Sequence, residues 1–478
     1  MRGKRYPIAT VFMLVLVLGF ASSEAVSEVA AGEDKIGTYE NTLFDSSYVH
    51  RIDIRIAKED WNDLLANPLE KTKYKVDIEI DGEIVEEVSF ATKGNSSLAF
   101  VAADGLSRYS FKVNFGKFNK DQTFRGLNKL NLNNIFYDTT YMKDYVSFEV
   151  FREAGAPAPL TSYVWLTING KDQGLYLAVE DLSESFMERN YGGQGVIYKP
   201  ESSELGLTIE KVEAVRANGL PMASDPHGSD LVYTDDNPDS YPDIFKNNET
   251  KAKKSDDQAV VAALKALSEG KDLESYLYTD EIIAYFAAHN FLLNFDSYTA
   301  GMLHNLVLYA NNGKLSLLPW DYNLAFATFV PAITNEVMEN ATDILNQGID
   351  SPLFYTDEES RPMWSWIAND EFYLSRYHDV LDNLVSGYFE SGRFESEAGA
   401  LYEMILPYVE KDPTAFYSVE EFKQGFEVLI EFCKRRAQSV RKQLEGSLSG
   451  TNAEQKGEDK VDASDIDVML MGGPDWVK

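Results

Sequence analysis

Two aspartates flank a short predicted hairpin in the second half of the chain. Asp296 follows an apolar helical stretch, and Asp321 follows Pro319-Trp320. Between them, Leu303 to Tyr309 and Leu315 to Leu318 are apolar runs on either side of Asn311-Asn312-Gly313, a hairpin signal. A hairpin returns the chain to its start, so both carboxylates are expected at one pocket. Asn305, on the first strand, could add an amide oxygen. Such oxygens suit a hard cation such as Mg²⁺, with phosphate oxygens filling its other sites. The remaining carboxylate could then accept a proton from an attacking hydroxyl. Phe295, Leu318 and Trp320 are poor company for merely solvated acids. Side chains alternate along a strand, so either His304 or Asn305 is expected to face the pocket, but not both.

The elements that must position these groups fall into two halves. From residue 48 to 180 the pattern is β-rich, with alternation at Ile52, Ile54 and Ile56 and at Val76, Ile78 and Ile80, and hairpin dipeptides at Asp81-Gly82 and Asn169-Gly170. Phe111, Val113 and Phe115 share one strand face, which puts Lys112 on the other. One helix, Asp138 to Ala154, interrupts these antiparallel strands, with Tyr141, Tyr145, Phe148 and Phe151 as its stripe. Residues 181–446 read as mostly helical, with an insertion or linker at 200–258 rich in Asp, Asn, Pro and Gly. Residues 447–478 read as a polar, acidic tail.

The 478 residues carry 44 Lys+Arg against 77 Asp+Glu, a formal charge of -33. That surface repels nucleic-acid phosphates and anionic lipid, and it favours cations and basic partners. Arg2, Lys4 and Arg5, the apolar run Ile8 to Phe20 and the small residues Ala21, Ser22, Ser23 and Ala25 read as a secretory signal peptide over residues 1–25, followed by a flexible segment at 26–47. The run is too short to span a bilayer. Cys433 is the one cysteine, so internal disulfides and multi-thiolate metal sites are excluded. His289, inside an apolar helix, reads as a satisfied core residue.

Hairpin-flanking aspartates below a β-rich half with one lysine-bearing strand and one glutamate-bearing helix match the way a protein kinase builds its site. Lys112 and Glu149 stand where that plan needs its lysine–glutamate pair, and the strand ending at Glu180 leads to Asp181-Leu182 as the hinge. The ordered segments Lys93-Gly94-Asn95-Ser96-Ser97, Leu130-Asn131-Leu132-Asn133-Asn134, Gly155-Ala156-Pro157-Ala158-Pro159, Asn294-Phe295-Asp296-Ser297-Tyr298, His304-Asn305 and Pro319-Trp320-Asp321-Tyr322-Asn323 resemble the CotH kinase-like family, named for spore coat protein H. The resemblance covers roughly residues 48 to 445. It implies an α+β, two-lobed atypical protein-kinase-like fold with a β-rich N-lobe and a mostly helical C-lobe. It further implies a secreted, cell-surface or spore-associated enzyme that uses ATP and Mg²⁺ or Mn²⁺ to phosphorylate Ser or Thr of a protein substrate, here expected to be basic. Asp296 would be the catalytic aspartate, Asp321 the metal-binding one and Asn305 a second ligand. Lys112, Glu149, Glu180, Lys93, Asn95 and Ser96 would bind the nucleotide, the last three from a loop over the phosphates.

The chain departs from ordinary kinases in lacking G-x-G-x-x-G, H-R-D, D-F-G and A-P-E. It also lacks G-x-x-x-x-G-K-[ST], G-x-S-x-G and H-E-x-x-H, which leaves P-loop, hydrolase and zincin chemistry unsupported. Two rival readings stand beside the kinase. One is a non-catalytic kinase-like coat or surface protein, and the other is a glycoside hydrolase using Asp296 and Asp321 as acid and base.

Overall fold

Ile52, Ile54, Val76, Ile78, Ile80, Phe90, Phe111, Val113, Leu130, Leu132, Val164, Leu166 and Ile168 pack into one core. Because strand side chains alternate, burying this set on one face curls the strands around it. They are β1 (His50–Arg55), β2 (Tyr74–Ile80), β3 (Glu83–Lys93), β4 (Ser110–Asn114), β5 (Lys129–Asn133), β6 (Thr161–Ile168) and β7 (Lys171–Glu180). In the computed structural model they form a closed barrel in the order β1-β2-β3-β4-β5-β7-β6. The structure describes residues 37–201, 208–219, 226–334 and 340–474. The signal-peptide expectation for residues 1–25 lies outside them.

The α+β expectation is met, with three corrections. The strands are not all antiparallel, since β1 pairs with β6 in parallel and so closes the barrel. The β-rich half carries three helices where one is expected: Lys58–Ala66, Ser96–Ala103 and Lys143–Ala154. Lys58–Ala66 is mostly exposed, so its apolar stripe is weak, and Ser96–Ala103 is apolar almost all round and shows no amphipathic period. The segment 37–47, expected to be flexible, puts Tyr39, Leu43 and Phe44 into the barrel core.

The outward face of three neighbouring strands is polar. Register pairs Ser89 with Asn114, Ala91 with Lys112, Lys93 with Ser110, Lys112 with Asn131 and Asn114 with Lys129. Every one of these side chains lines the same cleft.

Beyond the barrel, β8 (Val196–Tyr198), β9 (Leu306–Asn311) and β10 (Lys314–Pro319) make a small sheet in the order β10-β9-β8. Helix Thr279–Leu292 is buried along nearly its whole length, as expected of a helix that is apolar all round. It packs against Lys143–Ala154 and Glu371–Leu384. Among the described residues no helix is long and apolar enough to cross a membrane.

The stretch 200–258, expected to be a linker, includes helix Ile209–Asn218, whose Val212 and Val215 pack on Ala99 and Phe100 of helix Ser96–Ala103. Barrel and helices are tied by a buried ion pair. Arg108 donates to Asp412 Oδ1 and Oδ2 at 3.0 and 2.9 Å, and Leu175 N donates to Asp412 Oδ2 at 2.9 Å.

Candidate active site

Helix Thr279–Leu292 ends at Leu293, whose φ of 51° is left-handed, and the chain turns sharply into Asn294. Asn294 Oδ1 accepts the Asp296 backbone N–H at 3.1 Å, which fixes where the aspartate leaves the turn. Asn312 and Gly313, at φ 50° and 80°, make the tight turn of the β9–β10 hairpin. Pro319 ends β10, and Asp321 then adopts φ 59°, an uncommon conformation for a residue with a side chain. The hairpin thus returns Asp321 to the cleft that Asp296 lines. Asn305 connects them: its Nδ2 donates to Asp296 Oδ2 at 3.0 Å, to Asp296 O at 2.9 Å and to Asp321 O at 3.4 Å.

The cleft holds about 1130 Å³, between the polar face of β3 to β5 and the ends of the hairpin. Lys93, the last residue of β3, is half-buried there with its Nζ 2.7 Å from Asn133 Oδ1 and 5.3 Å from the Trp320 ring centre. Burial lowers its pKa, and the charges of Asp321 and Asp144 oppose that shift. Asn133 Nδ2 in turn donates to Asp144 Oδ2 at 3.2 Å, while Asp144 Oδ1 accepts the Tyr322 N–H at 2.7 Å. Burial, reinforced by Asp321, pushes the Asp144 carboxyl up to about 7.

Sequence reasoning missed Asp144. A signal was available: Asp144, Phe148 and Phe151 recur at helical spacing, which puts a carboxylate on the apolar stripe. Glu149 lies off that stripe. It pairs instead with Arg152 at 2.5 Å, away from the cleft, so the expected Lys112–Glu149 pair does not form. Lys112 does line the cleft, but it pairs with Asp181 at 2.8 Å and Glu249 at 3.7 Å.

Glu180 is also outside the cleft. Its cross-strand partner is Leu130, which faces the barrel core, and its carboxylate bonds Arg189 at 2.5 Å and the Tyr39 hydroxyl at 2.7 Å. Asn95 and Ser96 do line the cleft, at the start of helix Ser96–Ala103 where a loop is expected.

His304 and Asn305 both reach Asp296, against the alternation expected of a strand. They precede β9, and the left-handed φ of 50° at Leu303 and 52° at Asn305 breaks the alternation. His304 Nδ1 is 3.1 Å from Asp296 Oδ1, and its Nε2 is 3.5 Å from Glu201 Oε1. Burial alone would lower the imidazole pKa, but the two carboxylates hold it up at about 10. His289 is a core residue, bonded to the Tyr322 and Thr299 hydroxyls at 2.7 Å each.

The cleft does not share the charge of the whole molecule. Lys71, Lys73, Lys93, Lys112, Lys129, Lys199 and Lys211 line it together with Asp144, Asp181, Glu201, Glu249, Asp296 and Asp321, so its charges nearly balance and phosphates meet less repulsion there than the net charge of the whole molecule suggests. Among the described residues no three His, Cys, Asp or Glu side chains cluster as a ready-made metal cage. Asp321 with Asn305 Oδ1 offers a small set of hard oxygens. That fits an ion which takes one or two protein ligands and completes its shell with phosphate and water.

The profile of the family described as CotH kinase protein matches residues 90–440. The chain belongs to the CotH kinase protein family. The match begins in β3, just before Lys93, and takes in every acid and lysine described above except Lys71 and Lys73. The chain is also 24% identical over 406 residues to inner spore coat protein H of Bacillus subtilis (strain 168), covering 83% of this chain and 96% of that one.

Proposed function

We propose that the chain is an exported, atypical CotH-type protein kinase, two-lobed in the kinase manner, that transfers the γ-phosphate of ATP to a Ser or Thr hydroxyl of a protein. The observation that carries this reading is the meeting of Asp296 and Asp321, from opposite ends of one hairpin, in a lysine-lined cleft across from Lys93 and Asp144. Asp296 orients the acceptor hydroxyl and takes its proton as the oxygen bonds to the γ-phosphorus and the bond to ADP breaks. Asp321 and Asn305 Oδ1 are the groups to hold Mg²⁺ or Mn²⁺, which would supply charge neutralisation on the phosphates. Lys93 approaches the phosphates from the barrel side. Asp144, through Asn133, keeps Lys93 in place, the role expected of Glu149.

Purified protein given labelled ATP, Mn²⁺ and a Ser-rich basic protein should phosphorylate it. Asp296→Asn and Asp321→Asn should each lose at least about 10²-fold in rate. Undiminished transfer by both variants would overturn the reading.

The relative's description as a spore coat protein favours a second reading, a coat or surface scaffold that keeps the fold for binding. Thermal stabilisation by ATP with Mn²⁺ separates the two, since a ligand that binds only the folded state raises its melting temperature. The -33 charge suits a basic partner in either case, and the basic, then apolar, then small-residue pattern of residues 1–25 favours a secreted or spore-associated location within this reading.

A further inference from the structure

Asp296 is held from both sides. Asn305 Nδ2 occupies Oδ2, His304 Nδ1 occupies Oδ1, and the backbone on either side of the imidazole is left-handed. Such conformations persist where the surroundings over-determine them, and they gather at sites whose geometry matters. The His304 ring is itself held at its other nitrogen by Glu201, which belongs to the segment after β8 and not to the hairpin. Glu201 is anchored in turn: its N–H donates to Asp243 O at 3.2 Å, its carbonyl accepts Asn247 Nδ2 at 3.2 Å, and its carboxylate lies 3.6 Å from Lys199 Nζ. A carboxylate that fixes an imidazole, which then fixes the reacting group, is a recurrent way of orienting an active-site side chain.

We propose that Glu201 and His304 are positioning residues for phosphoryl transfer. Glu201 orients the His304 ring, and His304 with Asn305 locks the plane of the Asp296 carboxylate so that its remaining lone pairs face the acceptor hydroxyl. The proposal rests on Asp296 being the acid that meets the acceptor. It gives the 200–258 insertion a purpose, because that insertion supplies the outer member of the chain Glu201–His304–Asp296.

The test measures kcat and the KM for ATP on the full-length protein with Mn²⁺ and a Ser-rich basic acceptor. His304→Ala should lower kcat about 10²-fold, the effect of misplacing a reacting group by an ångström or so, with the KM for ATP within about 3-fold of wild type. Glu201→Met, which keeps the bulk without the acceptor, should lose about 10-fold, and His304→Gln, which keeps an amide donor, should recover part of the loss. The double variant Glu201→Met/His304→Ala should be no slower than His304→Ala alone, because Glu201 acts only through the imidazole. Wild-type kcat in both single variants, or fully multiplicative losses in the double variant, would overturn the proposal while wild-type transfer left the kinase reading standing. Absence of transfer by the wild type would overturn both. If His304→Ala melts below the assay temperature, Glu201→Met and His304→Gln carry the comparison.

Discussion

Asp144 is buried next to Asp321, and its carboxyl is raised from an ordinary 3.8 to about 7 by burial first and by that neighbour second. Between pH 3.8 and about 7 the folded chain therefore keeps a proton that the unfolded chain has released, so stability from this group falls as pH rises through that window. Asp144→Asn, measured without divalent cation, should melt above wild type at pH 8, with a smaller advantage at pH 5. The check is calorimetry at both pH values, and an equal advantage at each would remove the buried charge from the account. The pair Asp296 and Asp321 was legible at this scale, because an Asn-Gly turn between apolar runs specifies a hairpin and a hairpin specifies proximity. Lys93–Asn133–Asp144 was not, since it joins β3, β5 and a helix through contacts that no spacing encodes.

At the scale of elements, the strand and helix periods did most of the work. Helix Val419–Leu444 lies inside the stretch read as mostly helical, and its start is fixed by a capping box between Ser418 and Glu421. Along β7, however, a single glycine decides whether barrel and helices can meet. Gly174 has φ 103°, and a Cβ there would run into the Asp412 carboxylate that holds Arg108 and Leu175 N. Gly174→Ala should cost about 3 kcal/mol, from a strained backbone and an overpacked contact. Gly399→Ala, mid-helix with open space around it, should instead gain up to about 1 kcal/mol. Urea midpoints of the two variants check the contrast.

Across the whole molecule, the segment after Ser447 is the largest departure from its polar composition. Ala463, Ile466, Val468 and Met471 are buried, Met471 O accepts the Thr139 N–H at 3.3 Å, and Gly472 O accepts the buried Lys143 Nζ at 2.8 Å. Lys143 immediately precedes Asp144, so the end of the chain props the helix that carries a cleft acid. Ending the chain at Val461 should destabilise the fold by roughly 5 kcal/mol, from the lost burial of Ile466, Val468 and Met471 alone. Chemical denaturation measures this, and an unchanged midpoint would mean that the strap contributes nothing.

The sequence by itself determined the strand-then-helix order, the hairpin that pairs Asp296 with Asp321, the polar face bearing Lys112, and membership of a recognisable family. Each depends on periodicity or on residues adjacent in the chain, which local sterics and hydrophobic burial translate directly into structure. Only the tertiary structure decided the barrel closure, the exclusion of Glu149 and Glu180 from the cleft, the bridge from Lys93 through Asn133 to Asp144, the admission of Glu201, and the gathering of seven lysines in one cleft of a strongly negative molecule. Those depend on which surfaces meet across hundreds of residues, where burial and charge act through space and leave no period in the chain.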